Sequence, residues 1–235
     1  MTRLHLIRHG QASLGSQDYD RLSPLGIRQS EILGEYLAAL ELKFDAIYSG
    51  EMERQTDTAA LVMEKICGRG DRQQLVIRPD FNEYDAHTIV RLQIPTMIRE
   101  DPQIANALER LVTDGKALKM VFVRAMTAWV SGKWNAPEVE TWPQYVDRVR
   151  TGIATVVQEN SPGSDVAVFT SGGAICVAML LALGLSAEQC ILLALQTINT
   201  GVSVFHYSDG ELSLSCFNSR AHLDLRKDPT LITYR

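Results

Sequence analysis

Residues 4–10 are Leu-His-Leu-Ile-Arg-His-Gly, and this stretch decides how the rest of the sequence is interpreted. Its first part, residues 4–7, is a short apolar run that stops before a glycine, which is typical of a buried β-strand. Similar runs follow at residues 45–48, 75–77 and 166–169. Helical patterns separate these runs, and strands that alternate with helices predict an α/β fold. We expect a three-layer sandwich with a mostly parallel central sheet and helices on both faces.

The segment from about residue 85 to 140 departs from this alternation. It has a helical pattern, is rich in Met and Trp, and contains no strand-like run. We therefore predict one domain over residues 1–235 that carries a helical insertion at about 85–140. An insertion that covers the ends of the strands is where substrate selectivity should lie. Near the end of the chain, a Ser-Asp-Gly turn at 208–210 predicts a β-hairpin.

The composition excludes several kinds of partner. The chain has 23 Lys and Arg against 28 Asp and Glu, a formal net charge of −5, so no global field attracts nucleic acid or a membrane surface. The first residues lack the apolar core of a signal peptide. The four cysteines are widely spaced and form no C-x-x-C pair. This spacing argues against a zinc or thioredoxin-like site, and we expect a cytoplasmic protein with reduced thiols.

Reactive groups follow several of the predicted strands. Arg8 and His9 end the first strand, Arg54 lies one helical turn after the second, and Glu83 follows the third. The most apolar strand runs into Ser-Gly-Gly at residues 171–173. Ligands of open α/β sheets bind at the carboxyl ends of the strands. Two guanidiniums and a Gly-Gly helix start suit a phosphoryl group, an imidazole can attack phosphorus, and a carboxyl group can protonate the leaving oxygen.

These motifs resemble those of the histidine phosphatase superfamily, which includes the cofactor-dependent phosphoglycerate mutases. The similar stretches occur in order at residues 6–12, 22–26, 48–59, 82–83 and 168–173. The resemblance implies that His9 is the phosphorylated residue, that Arg8 and Arg54 clamp the phosphate, and that Glu83 is the proton donor. It also places Gln11 at a position that often lines the substrate pocket.

One position departs from the family pattern. The family usually has a second histidine immediately before the Gly-Gly pair, where this chain has Ser171. Serine keeps a hydroxyl donor but loses the reach and the positive charge of histidine. Losing one preorganised donor costs roughly 10²–10³ in rate. We predict that Ser171 and Gly172 contact the phosphate and that the activity is reduced.

Three hypotheses about function stay open at this point. The first is a phosphomonoesterase that hydrolyses a small phosphate ester through phosphohistidine on His9, without a metal or another cofactor. The second is a phosphoglycerate-type mutase, for which Arg91, Arg99 and Arg124 are the available basic residues of the insertion. The third is a weakly active or inactive module that binds phosphorylated ligands, and Ser171 is its only support. The apolar insertion also suggests a homodimer.

Overall fold

The computed structural model describes residues 1–13, 20–67, 73–108 and 115–234. Its strands are β1 (Thr2–Arg8), β2 (Ala46–Ser49), β3 (Leu75–Ile77), β4 (Asp165–Thr170), β5 (Val202–Ser208) and β6 (Glu211–Ser219). Its helices are α1 (Pro24–Ala39), α2 (Glu53–Ile66), α3 (Ala86–Glu100), α4 (Gln103–Leu108), α5 (Gly115–Val130), α6 (Trp142–Glu159), α7 (Gly172–Leu183), α8 (Ala187–Ala194) and α9 (Ala221–Asp224). Short 3₁₀ turns lie at Pro79–Phe81 and Pro229–Leu231.

The strands form one sheet in the order β3-β2-β4-β1-β5-β6. β3, β2, β4 and β1 are parallel neighbours, whereas β5 is antiparallel to β1 and forms a hairpin with β6. Arg8 pairs with Thr170, and Ser49 pairs with Phe169. This register brings the carboxyl ends of β1, β2 and β4 to the same edge of the sheet. The predicted α/β fold with a mostly parallel sheet is confirmed.

Helices cover both faces of the sheet, as predicted. Val166 and Val168 of β4 pack with α6 and α7 on one face. Ala167 and Phe169 pack with α1 and α2 on the other. Successive side chains of a strand point to opposite faces, so a strand covered on both sides is apolar along its whole length. This is why the β4 sequence is a continuous apolar run.

The helices α3, α4 and α5 occupy most of the segment in which an insertion is predicted. They share a small apolar cluster of their own, formed by Met97, Ile104, Ala107, Ala117, Val121 and Ala125. α5 also packs against α6 and α8, so these helices join the main core. In the part of the chain that is described, no helix is both long enough and apolar enough to cross a membrane. The assignment of residues 1–235 to a single domain stays a prediction.

Candidate active site

His9 lies just beyond the carboxyl end of β1, and its side chain is buried. Its Nδ1 lies 2.7 Å from the carbonyl oxygen of Gly10. Because a carbonyl can only accept, Nδ1 carries the proton and Nε2 carries the lone pair. Burial, followed by the charges of Arg54 and Arg8, lowers the pKa of His9 well below its ordinary value. The ring is therefore neutral at physiological pH, which is the nucleophilic form.

Hydrogen bonds fix the main chain of Arg8 and His9. The His9 amide donates to the carbonyl oxygen of Thr170 at 2.9 Å, and the His9 carbonyl accepts from Asn199 Nδ2 at 3.1 Å. The Thr200 amide donates to the carbonyl oxygens of Arg8 and His9 at 3.1 and 3.3 Å. The position of the imidazole therefore depends on the segment that precedes β5.

Arg54 reaches the His9 ring from the first turn of α2. Its Nε donates to His9 Nε2 at 3.1 Å, and its Nη1 forms an ion pair with Asp20. The Arg54 side chain is only 7% exposed, whereas that of Asp20 is 40% exposed. A guanidinium that touches His9 Nε2 would lie within reach of a phosphoryl group brought to that nitrogen.

Arg8 lies close enough to His9 for its charge to act on the imidazole, and its side chain is held by main-chain oxygens. Its Nη1 donates to the carbonyl oxygens of Thr197 and Tyr234, the second at 3.1 Å. The same nitrogen lies 3.3 Å from Thr197 Oγ1. Arg8, His9 and Arg54 line one cavity of about 920 Å³. Two positive charges and a neutral imidazole therefore share one cavity, an arrangement that could bind a phosphate group.

Glu83 lines the same cavity and lies against the amino end of α7. Its Oε2 accepts from the amide of Gly173 at 3.0 Å, and its Oε1 accepts from the Tyr145 hydroxyl at 3.1 Å. Burial, followed by the charge of Glu83, raises the pKa of Tyr145 well above its ordinary value. The Tyr145 hydroxyl therefore keeps its proton and orients the carboxyl group.

The Gly-Gly pair allows this approach. A Cβ added to Gly173 would lie 2.1 Å from Glu83 Oε1 and 2.7 Å from the Tyr145 hydroxyl oxygen. Only glycine therefore lets the Glu83 side chain approach the main-chain amide of Gly173 in the first turn of α7. Gly172 lines the cavity beside His9, where it is predicted to contact phosphate.

The side chains of Gln11 and Ser171 make other contacts. Gln11 Oε1 accepts from Ser23 Oγ at 2.9 Å. Ser171 is fully buried, and its Oγ accepts from Gln55 Nε2 at 2.8 Å. Neither residue is among the described residues that line the cavity. Gln55 Nε2 also donates to the carbonyl oxygen of Phe81 at 3.2 Å. Phosphate or substrate contacts by Gln11 and Ser171 stay predictions.

Several residues that shape the site belong to no motif that can be recognised in the sequence. Residues 197–200 hold Arg8 and the His9 main chain, but they are brought there by the pairing of β5 with β1. The only sign of residues 197–200 in the sequence is a mainly polar run just before a strand. Tyr145 is one more apolar position in an amphipathic helix, and Asp20 is one acid among many. Gln55 could be noticed only as a polar residue next to Arg54.

His222 contacts Thr200, which holds the His9 segment, and the burial of His222 makes the stability of the fold depend on pH. His222 Nε2 lies 2.8 Å from Thr200 Oγ1, and burial lowers the pKa of His222 to about 4. In the unfolded chain the pKa of histidine is about 6.5. Protons therefore bind the unfolded state first. The contribution of His222 is complete above the unfolded pKa and is lost as the pH falls toward 4.

We expect His222→Asn to reduce this dependence. Between pH 7 and pH 5 the wild type should lose about 2 kcal/mol more of its free energy of unfolding than the variant. Denaturant titrations at the two pH values measure the difference, with His206→Asn on β5 as the matched control. Equal losses in the wild type and His222→Asn would show that His222 is not held neutral.

Sequence comparison identifies the family of this chain. A family model described as the histidine phosphatase superfamily (branch 1) matches residues 4–129 and 116–220. The mitochondrial serine/threonine-protein phosphatase PGAM5 of Xenopus laevis is 31% identical over 142 residues, which are 52% of this chain and 52% of that protein. The corresponding protein of Caenorhabditis briggsae is 29% identical over 112 residues, 46% of this chain and 39% of the relative. The chain thus spans about half or less of these relatives.

Solved structures show the same fold. A phosphoserine phosphatase mutant from Entamoeba histolytica, solved with phosphoserine, is 19% identical with a TM-score of 0.64, covering 95% of this chain and 100% of that one. A phosphoglycerate mutase from Bacillus anthracis is 17% identical with a TM-score of 0.65, covering 97% of each chain. At these identities the likeness concerns the fold alone. The family model, however, spans most of the sequence, and the chain belongs to the histidine phosphatase superfamily.

Proposed function

We propose that this protein is a phosphomonoesterase that hydrolyses a small phosphate ester through a phosphohistidine on His9. One observation carries the proposal: a neutral, buried imidazole whose Nε2 lies 3.1 Å from the Arg54 guanidinium. The Glu83 carboxyl group lines the same cavity. The nucleophile, the anion clamp and the proton donor are thus side chains of one site.

The reaction has two steps. In the first, the Nε2 lone pair attacks phosphorus, the bond from phosphorus to the ester oxygen breaks, and Glu83 gives its proton to the leaving oxygen. In the second, water attacks the phosphorus, Glu83 takes a proton from it, and the P–N bond breaks to release inorganic phosphate. Arg8 and Arg54 stabilise the charge on the phosphoryl oxygens in both steps.

The mutase hypothesis has weaker support. A mutase for a small phosphorylated acid needs further cations around the second anionic group of its substrate. Arg91, Arg99 and Arg124 are not among the described residues that line the cavity. Arg124 instead pairs with Glu100 and Asp101 at 3.2 and 3.1 Å. This arrangement favours transfer of the phosphoryl group to water.

The chemical lability of the phosphoenzyme tests this proposal. Protein quenched during turnover of a ³²P-labelled ester should carry label that is lost in acid and kept in base, because phosphohistidine has this lability. Turnover should be unchanged by a chelator, since every step uses protein side chains. Acid-stable label, or activity that disappears on chelation and returns with a metal ion, would refute the mechanism.

The inactive-module hypothesis rests on the place of Ser171, which faces Gln55. Tight phosphate or vanadate binding with no turnover across a broad panel of esters would favour it. Recovery of turnover in Ser171→His would show that the scaffold is otherwise competent. A cytoplasmic location and a homodimer are also proposals. The four free cysteines in a large apolar chain that needs no disulfides support the first, and the apolar helices of the insertion support the second.

A further inference from the structure

The lining of the cavity has a charged part and a mostly apolar part. Arg8, His9, Arg54 and Glu83 are the charged part of the lining, here called the floor. The rest of the lining, here called the walls, is mostly apolar but includes Lys119, Gln196 and Asn218. Leu118 and Phe122 of α5 belong to the apolar part of the walls. Leu195, Ile198 and Phe217, from the segment between α8 and β6, line it as well.

These apolar side chains are only partly covered by the protein. Ile198 is buried, but Leu118, Phe122, Leu195 and Phe217 are all half-buried. α5 packs against α8, so these residues belong to elements that the core holds in place. An apolar part of a ligand would remove this apolar surface from water, which is favourable for binding.

The few positive charges in the lining of the cavity also favour an apolar ligand. Besides Arg8 and Arg54, the described residues that line the cavity include one further cation, Lys119, which is exposed. Lys119 is the one cation of the described walls that a second carboxylate or phosphate could meet, and an anion placed against Leu118 and Phe122 would lose hydration to apolar surface, which is unfavourable. The walls therefore disfavour small polyanions.

We infer that the substrate is a phosphate monoester of an apolar alcohol, whose carbon chain or ring lies between Phe122 of α5 and Phe217 of β6. The inference rests on the proposed function for the place of the phosphoryl group. It adds the class of leaving group and names Phe122 and Phe217 as specificity-determining residues.

Binding of n-alkylphosphonates tests the inference without turnover. Their P–C bond is not hydrolysed, and their head group does not change along the methyl, propyl and hexyl series. Isothermal titration should show affinity that increases up to about fourfold for each added methylene. Equal dissociation constants along the series, or tighter binding of 3-phosphoglycerate than of hexylphosphonate, would overturn the inference.

Variants of the walls locate the effect. Phe122→Ala and Phe217→Ala should each reduce the preference for hexyl over methylphosphonate by about tenfold, since each removes much of the contact area. Methylphosphonate affinity should stay within about twofold of wild type. Met120→Ala, an exposed residue of the same helix, is the matched control. An unchanged preference in both wall variants would place the alkyl chain elsewhere.

The outcome separates this inference from the proposed function. If esters are hydrolysed through His9 but binding does not depend on chain length, the inference fails and the phosphatase stands. If hexylphosphonate binds preferentially but no ester is turned over, the cavity is assigned correctly and the catalytic proposal fails.

Discussion

Replacing His9 by alanine should lower kcat for ester hydrolysis by about 10⁴-fold or more, the scale of loss seen when a covalent nucleophile is removed. The reason is that Nε2 forms the bond to phosphorus, and no other imidazole or thiol is among the described residues that line the cavity. The measurement is phosphate release from p-nitrophenyl phosphate under purified conditions.

The fold should survive this change. The His9 main chain is held by Thr170, Asn199 and Thr200 and not by the imidazole. Circular dichroism and retained phosphate binding would verify this. His206→Ala, at the opposite end of the sheet, should keep full activity, because His206 pairs with Arg3 at the start of β1. A His9→Ala enzyme as fast as wild type would rule out phosphohistidine.

Glu83→Gln should lower kcat/KM by about 10²–10⁴ for an alkyl phosphate, the usual contribution of a general acid. Glutamine keeps the shape of the side chain and can still accept a hydrogen bond, but it cannot donate a proton to the leaving alkoxide. The loss should be much smaller for p-nitrophenyl phosphate, whose leaving group needs little protonation. Comparing kcat/KM for the two substrates isolates the first chemical step.

The matched control is Glu138→Gln, an exposed acid on the loop before α6, which should leave both substrates unaffected. Two results would contradict the role of Glu83. One is an equal loss with both leaving groups, which would indicate that the residue only shapes the site. The other is no loss at all.

The layers of the fold could be predicted from local patterns. The four apolar runs became β1, β2, β3 and β4, and the Ser-Asp-Gly turn became the hairpin of β5 and β6. These patterns follow from burial and turn chemistry, which act over a few residues. The order of the strands in the sheet is a long-range property and was not available from the sequence.

The main candidate residues of the site could also be predicted from local patterns. Arg8, His9, Arg54 and Glu83 each follow a strand, and the structure brings all four to one cavity. Their supports were not predictable, because Tyr145 and Asn199 reach the site through packing between distant segments. The contact between Gln55 of α2 and the Ser171 hydroxyl was likewise not predictable, and the phosphate contact predicted for Ser171 stays a prediction.

The central claim is that the His9 imidazole attacks phosphorus while two guanidiniums hold the anion. A crystal structure with orthovanadate tests it most directly, because vanadate adopts the five-coordinate geometry of the transferring phosphoryl group. We predict vanadium bonded to His9 Nε2, with equatorial oxygens accepting from Arg8 and Arg54 and Glu83 next to the apical oxygen opposite His9. Vanadate bound away from the ring, or Arg8 and Arg54 pointing apart around it, would contradict the account.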